Sequence, residues 1–504
     1  MTQPTIFPTY DPFVPVDRVE PTNISGIKSA TTSATTNVGP PPTRVPIELT
    51  FERAADSNRM LPTPTPDSPH KISTARSDVD HYIIQAGDTL AQIALAYGLS
   101  ANDLIEANNI SDPDALEIGS SLVIPAPSPD ATGTDFKIIP DSEFVYSPSN
   151  ALFDLDEFIR SKAGHLSAYS EDVNGELLTG SQIILRVSKN YSINPRLLLA
   201  ILEHQSGWVS DSNPAEFDYP IGLVDAYHNG LYLQLTWTAD TLNRGFYSWR
   251  VDAVPGFSLA DGNYLLVEPT INAGTAGIQY FFSKLDDLET WFYDSSETGL
   301  FLTYWVLFGN PFQYVFEPLI PKGLQQPPMS LPFDLGQTWS FTGGPHGGWD
   351  SGSGWAALDF APPGDTASCL PSESWATAVA DGLILRADHG AVILDLDNDG
   401  FEQTGWVVLY MHIDSHERIE QDTYVYAGDR IGHPSCEGGL SNGTHVHLAR
   451  RYNGEWIPAD GPIPFELNGW ISSGIGIEYD GYLRRDQEIV EAWDGINALN
   501  QISH

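Results

Sequence analysis

Gly443-Thr444-His445-Val446-His447-Leu448-Ala449-Arg450 places two histidines two residues apart in an apolar run, the spacing of a β-strand. On a strand, side chains two apart leave the same face, so His445 and His447 can address one point in space. Upstream, Gly405-Trp-Val-Val-Leu-Tyr410-Met-His412-Ile413 reads as a second strand, and strict alternation would put Tyr410 and His412 on one face. Further back lie Phe341-Thr-Gly-Gly-Pro-His346 and Trp355-Ala-Ala-Leu-Asp359-Phe-Ala-Pro-Pro-Gly364. From residue 328 onward short apolar runs alternate with Gly, Asp and Pro turns, the pattern of a β-rich domain of antiparallel strands.

Any one of these histidines alone would read as a packed or surface residue. Their joint order resembles the lysostaphin/LytM-type zinc endopeptidases: a His, an Asp before aromatic-Ala-x-Pro, Tyr-x-His, then His-x-His. The resemblance implies an antiparallel fold of the duplicated-hybrid-motif type and an enzyme that hydrolyses amide bonds in peptidoglycan stem peptides or cross-bridges. It implies that His346, Asp359 and His447 hold Zn²⁺ and leave a fourth position for water, the arrangement of a catalytic zinc. His412 and His445 would flank the metal, orienting the attacking water and stabilising the oxyanion. Asp350 competes with Asp359, because His346 and Asp350 have the four-residue spacing of many such enzymes. Context favours Asp359, which ends an apolar run, whereas 347–354 reads as a mobile inserted loop at a substrate rim. His389, His416 and His433 match nothing and read as turn residues.

Two cysteines occur, Cys369 and Cys436. A disulfide is the first reading for a chain outside the cytoplasm, and two separate buried thiols are the alternative. Asp395-Leu-Asp397-Asn-Asp399-Gly400 superficially resembles a calcium loop, but Trp406 stands where an EF-hand needs its closing glutamate, so a hairpin turn is the simpler reading.

Toward the N-terminus the chain divides by composition. Residues 1–79 are rich in Pro, Thr, Ser and Asp and read as a disordered arm. Residues 80–126 read as strand, helix, helix, strand. Asp88 or Thr89 caps a helix carrying Leu90, Ile93, Ala94 and Tyr97. The pattern Tyr-x-Ile-x-x-Gly-Asp-Thr-Leu-x-x-Ile-Ala, then Tyr-Gly, then Asn108-Asn109-Ile110, resembles a LysM domain. That resemblance implies binding of N-acetylglucosamine-containing glycan in a groove formed by Gly87, Asp88, Thr89 and Leu90 facing Asn109 and Ile110. Residues 127–137 read as a linker, 138–327 as a mainly helical domain, 328–482 as the peptidase domain, and 483–504 as a C-terminal tail.

The helix opening at Asn194-Pro195 and ending Glu203-His-Gln205-Ser-Gly207 resembles those of lysozyme-like lytic transglycosylases, in which a Glu at the position of Gln205 is the general acid. Gln205 has no titratable proton, and Glu203 lies roughly 200° away around the helix. A non-catalytic lysozyme-like body is therefore expected.

The formal net charge of −42, from 66 acidic and 24 basic residues, argues against nucleic acid and anionic lipid surfaces as partners. No apolar run of about 18 residues or signal-peptide core is visible, so membrane insertion is not expected. The combined expectation is a secreted or wall-associated zinc endopeptidase tethered to peptidoglycan by LysM. A non-catalytic regulator of other wall hydrolases and a dual peptidase/glycosidase are the rivals.

Overall fold

The computed structural model describes residues 79–504 apart from 86–87, 98, 100, 114–115, 127–130 and 365–368. The expected N-terminal arm and Gly87 therefore lie outside the described residues. Among the described residues no helix is long and apolar enough to cross a membrane.

The first module is β1 (Asp80–Ile83), α1 (Leu90–Ala96), α2 (Ala101–Asn108) and β2 (Ser121–Ile124), with β1 and β2 antiparallel. Its core is Tyr82, Ile84, Leu90, Ile93, Ala94, Leu99, Leu104, Leu122 and Ile124. Thr89 and Gln92 form a reciprocal cap on α1, each side chain meeting the other's main-chain N–H at 3.2 Å. The Asn108 amide closes the module by bonding both the N–H and the carbonyl of Val123 at 2.7 Å.

The second half of the expected linker is structured: Ala131–Thr132 pairs in parallel with Tyr264–Leu266. The helical domain is organised by α3 (Gly180–Tyr191), α4 (Pro195–Ser206), α5 (Leu231–Arg250) and α6 (Ala273–Ser283). Residues 195–202 of α4 and every residue of α6 are buried, as expected of helices at the centre of a fold, and only the polar last turn of α4, Glu203–Ser206, is partly exposed.

The C-terminal region contains β3 (Thr338–His346), β4 (Ala357–Ala361), β5 (Gly382–Asp388), β6 (Ala391–Asp395), β7 (Trp406–Met411), β8 (Tyr424–Val425), β9 (Val446–Tyr452) and β10 (Glu455–Trp456). They are followed by β11 (Glu466–Leu467), β12 (Trp470–Gly474), β13 (Gly481–Arg485), β14 (Glu488–Glu491) and β15 (Gln501–Ser503). A nine-stranded sheet runs β8-β5-β6-β7-β9-β4-β3-β15, with β10 paired to β9, and β11–β14 form a second, four-stranded sheet. Residues 483–504 are thus not an appended tail, since they supply β14, most of β13 and the edge strand β15, which pairs with β3.

Alternation along the central strands divides the large sheet between two cores. Val408, Tyr410, Leu358, Phe360, Val446 and Leu448 pack with Trp339, Phe341 and Trp470 on one side. Val407, Leu409, Met411, Ala357, Ala449 and Ile393 pack on the other, in one continuous core with the helical domain. A strand covered on both faces reads as an unbroken apolar run, which is the character of Trp406-Val-Val-Leu-Tyr-Met411. A buried ionic cluster spans the same junction. Glu402 is 4% exposed and meets Arg451 at 3.1 Å, Arg386 at 3.2 Å and Lys189 of α3 at 3.5 Å.

Candidate metal centre

Three antiparallel strands bring the predicted ligands together. His447 on β9 stands directly opposite Asp359 on β4, and β4 pairs in turn with β3, whose last residue is His346. His346 Nε2 lies 2.9 Å from His447 Nδ1, and Asp359 Oδ1 lies 3.3 Å from each. Gly343 makes room for the carboxylate, because a Cβ there would fall 2.5 Å from Asp359 Oδ2.

Main-chain carbonyls fix the protonation of these rings, since a carbonyl oxygen only accepts. His346 donates from Nδ1 to Gly344 O at 2.8 Å, and His447 donates from Nε2 to Gly348 O at 3.1 Å. In the neutral form of each ring the nitrogens that face each other are then both bare. Asp359 Oδ1 between them is buried without a hydrogen-bond partner. Three lone pairs converging this closely repel one another unless a cation sits among them. Burial would raise the Asp359 carboxyl, but His346 and His445 outweigh it and hold the group well below the usual range. Two imidazoles and one carboxylate, with His447's second nitrogen anchored, form a donor set suited to zinc.

His445 and His412 lie alongside. His445 donates from Nδ1 to Gly443 O at 2.8 Å, and its Nε2 points toward Asp359 Oδ1 at 3.7 Å. The His412 ring centre is 4.5 Å from that of His445 and 6.3 Å from that of His447. His412 does not share a face with Tyr410, contrary to the expectation from strand alternation. It is the first residue past β7 and has φ +66, which swings the ring out of register. Tyr410 stays in the core, its hydroxyl accepting from Val379 N at 2.7 Å. Burial, followed by His445 and His447, pushes His412 down to about 3, so it is a neutral base at working pH.

The loop 347–354 is not a mobile rim. Residues 352–354 are buried, Gly352 N donates to Asp240 Oδ1 of α5 at 2.5 Å, and Arg244 donates to Ser351 Oγ at 2.7 Å. Asp350 faces away from the histidines and accepts from Tyr191 Oη at 3.0 Å, outside the cluster of possible metal ligands.

Tyr479, absent from the sequence reading, stacks on His346 at 4.2 Å between ring centres. It is 55% exposed and has φ +65, a conformation rarely adopted by a tyrosine. Only its strained backbone distinguishes it, and no sequence pattern reports that.

Two family models match the sequence: LysM at residues 82–125 and the LasA N-terminal domain at 137–322. Protease LasA of Pseudomonas aeruginosa is 26% identical over 368 residues, spanning 68% of this chain and 80% of LasA. This chain resembles LysM-containing peptidases of the lysostaphin/LytM type. N-acetylmuramoyl-L-alanine amidase XlyA of Bacillus subtilis is 45% identical over 47 residues, 9% of this chain and 16% of that protein. The solved structure of the M23 metalloprotease pseudoalterin overlaps 34% of this chain and 96% of its own, at 24% identity and a TM-score of 0.26.

In the LysM domain, Leu90 is part of the core and Asp88 accepts from Tyr82 Oη at 2.9 Å and Gln85 N at 2.6 Å. Thr89 and Asn109 are exposed and Ile110 is half-buried, so these are the predicted groove residues open to a ligand. In the region matched by the LasA N-terminal domain, Glu203 accepts from Val209 N and Ser210 N at 3.0 Å and from the Ser210 hydroxyl. Its carboxylate holds the turn after α4. Cys369 and Cys436 form a disulfide. The carboxylates of Asp395, Asp397 and Asp399 lie within 4.8 Å of one another, and Asp395 accepts from Asp397 N and Gly400 N, as a hairpin tip requires.

Proposed function

We propose that the chain is a secreted, zinc-dependent endopeptidase that hydrolyses amide bonds in peptidoglycan stem peptides or cross-bridges. The observation that carries this reading is the convergence of His346 Nε2, His447 Nδ1 and the orphaned Asp359 Oδ1, flanked by His412 and His445. A zinc ion held by these three would lower the pKa of a bound water to about 7 and polarise the scissile carbonyl. His412 would be the base for the attacking water through Nε2, because its Nδ1 is occupied as a donor. His445, whose Nε2 approaches Asp359, and Tyr479, which stacks on His346, would supply polar groups to the developing oxyanion and the leaving amine. LysM holds the enzyme on insoluble glycan and raises its local concentration at the substrate.

The test is digestion of purified peptidoglycan with analysis of the products by mass spectrometry. New amino termini that vanish on chelation and return with zinc are expected. Reducing or anhydro sugars would instead point to a glycosidase, and peptide cleavage unchanged by EDTA would remove the metal from the mechanism.

A further inference from the structure

His412 lies just past the end of β7, outside regular strand pairing, and depends on loops for its orientation. Its ring donates from Nδ1 to the carbonyl of Glu437 at 3.1 Å. Its own main-chain carbonyl accepts from Ser435 N at 2.7 Å and from Ser435 Oγ at 3.1 Å. Segment 435–437 therefore grips this residue by both ring and backbone.

That segment is braced on three sides. Cys436, between the two gripping residues, is covalently tied to Cys369. The Glu437 carboxylate accepts from Ser415 N at 2.6 Å through one oxygen and from Arg418 at 3.1 Å through the other. The same Arg418 nitrogen donates to Ile413 O at 2.9 Å, on the residue that follows His412. Arg418 thus bridges the chain leaving His412 to the loop that receives the ring. Its side chain is only 11% exposed, which shelters the ion pair from the screening that weakens surface pairs. A non-glycine residue at φ +66 persists only where its surroundings over-determine it, and this bracket does so.

We propose that Arg418 and Glu437, stapled by the Cys369–Cys436 bridge, are positioning residues that hold His412 as the Nδ1–H tautomer and so aim a bare Nε2 at the attacking water. The proposal rests on the peptidase reading for its catalytic consequence, but the tautomer itself is observable without turnover. If the bracket loosens, Nδ1 loses its acceptor, the ring is free to rotate, and the proton redistributes between the two nitrogens.

The experiment uses the full zinc-loaded chain labelled with ¹⁵N-histidine, with the His412 signals assigned from Arg418-intact protein and a His412→Gln control. The expected wild-type spectrum shows His412 protonated on Nδ1. Arg418→Met should give a mixed-tautomer pattern and lower kcat on the order of 10- to 100-fold, the range seen when an outer-shell partner is lost, with KM and bound zinc unchanged. Arg418→Lys, which keeps a donor and a charge, should recover the spectrum and most of kcat. If Arg418→Met does not fold, Glu437→Gln takes its place, since it removes the charge and turns one of the two acceptor oxygens into a donor NH2, and a partial shift of the same kind is expected. A wild-type His412 protonated on Nε2 overturns the proposal, as does an Arg418→Met protein with unaltered spectrum and kcat. Loss of zinc in parallel with kcat also overturns it, because Arg418 would then support the ligands rather than the base. A wild-type chain with the predicted spectrum but no peptide cleavage refutes the function and leaves the tautomer assignment standing.

Discussion

Replacing Glu402 by Gln should destabilise the helical domain and the large sheet together. Glu402 is buried between Arg386, Arg451 and Lys189, and Tyr146 lies within the same field. Burial alone would raise its carboxyl, but Arg386, Arg451 and Lys189 overcome that and bring it down to about 2 from 4.5. At 1.36 kcal/mol per pH unit this differential is worth about 3 kcal/mol. An independent route gives a similar size: removing one partner of a buried ion pair costs about 3–5 kcal/mol, because the remaining charges are left uncompensated. The depressed pKa fixes the sign of the pH dependence. The contribution is fully present above about 4.5 and is lost as the pH falls through about 2, when the carboxylate takes up its proton. The assay is chemical denaturation at neutral pH and at a series of acid pH values, following tryptophan fluorescence. The wild-type advantage over Glu402→Gln should be about 3–5 kcal/mol at neutral pH and shrink steadily below pH 4.5. A difference under about 0.5 kcal/mol at neutral pH, the size of an ordinary surface substitution, would refute the reasoning. So would a difference that does not depend on pH.

Asp359→Ala should lose stoichiometric zinc, whereas Asp350→Ala should keep it, because Asp350 bonds Tyr191 instead; metal analysis of the purified variants decides, and zinc retained by Asp359→Ala would exclude that ligand. Gly343→Ala should weaken zinc binding in a chelator competition assay, since its Cβ would displace the Asp359 carboxylate. Zinc should raise the midpoint of thermal unfolding and EDTA lower it, by about 4 kcal/mol of stability at a thousandfold excess over Kd, with no such effect in Asp359→Ala. Asp397 is pushed up to about 7, first by burial and then by Asp395 and Asp399. Its charge is thus penalised increasingly from about pH 4 to 7, and Asp397→Asn should be more stable than wild type at neutral pH, by about 1–2 kcal/mol once screening of this exposed group is discounted. Denaturation of both proteins at pH 4 and pH 8 checks it, and an equal difference at the two values would reject the cause.

The site was legible to the degree that strand geometry defines it. The pairing of His445 with His447 rested on a period of two, and the preference for Asp359 over Asp350 on the contrast between an apolar strand and a Gly/Ser/Trp loop; the structure groups Asp359 with His346 and His447. Alternation misled at His412 because one left-handed residue after β7 resets the direction of the side chain, and nothing in Tyr-x-His announces a positive φ. Tyr479 was illegible for the same reason. The loop 347–354 looked mobile from its glycines, yet those glycines allow close packing: a Cβ on Gly348 would meet the Trp456 ring at 2.5 Å, and one on Gly352 would meet Asp240 O at 2.0 Å. The shared core was signalled by the unbroken apolar run of β7, which demands cover on both faces, but a sequence does not name the partner that provides it.

Anchoring by main-chain carbonyls explains how this chain can assemble such a cluster before any metal arrives. Gly344, Gly348, Glu437 and Gly443 each accept one N–H from a different histidine. Four rings are thereby committed to a single tautomer by backbone that folding has already fixed. The bare nitrogens of His346 and His447 are then forced together around Asp359, an arrangement that gains nothing by itself and is unfavourable without a cation. Rings free to choose would instead share protons, and Asp359 would find a donor. Three of the four carbonyl anchors belong to glycine, where the chain can turn closely enough to present an oxygen to a ring. The fourth belongs to Glu437, whose position is secured by an ion pair and a disulfide. The proposed metal ligands therefore depend on strand ends and tight turns, while the proposed base depends on a braced loop, which makes that histidine the element most open to adjustment without disturbing the ligand cluster.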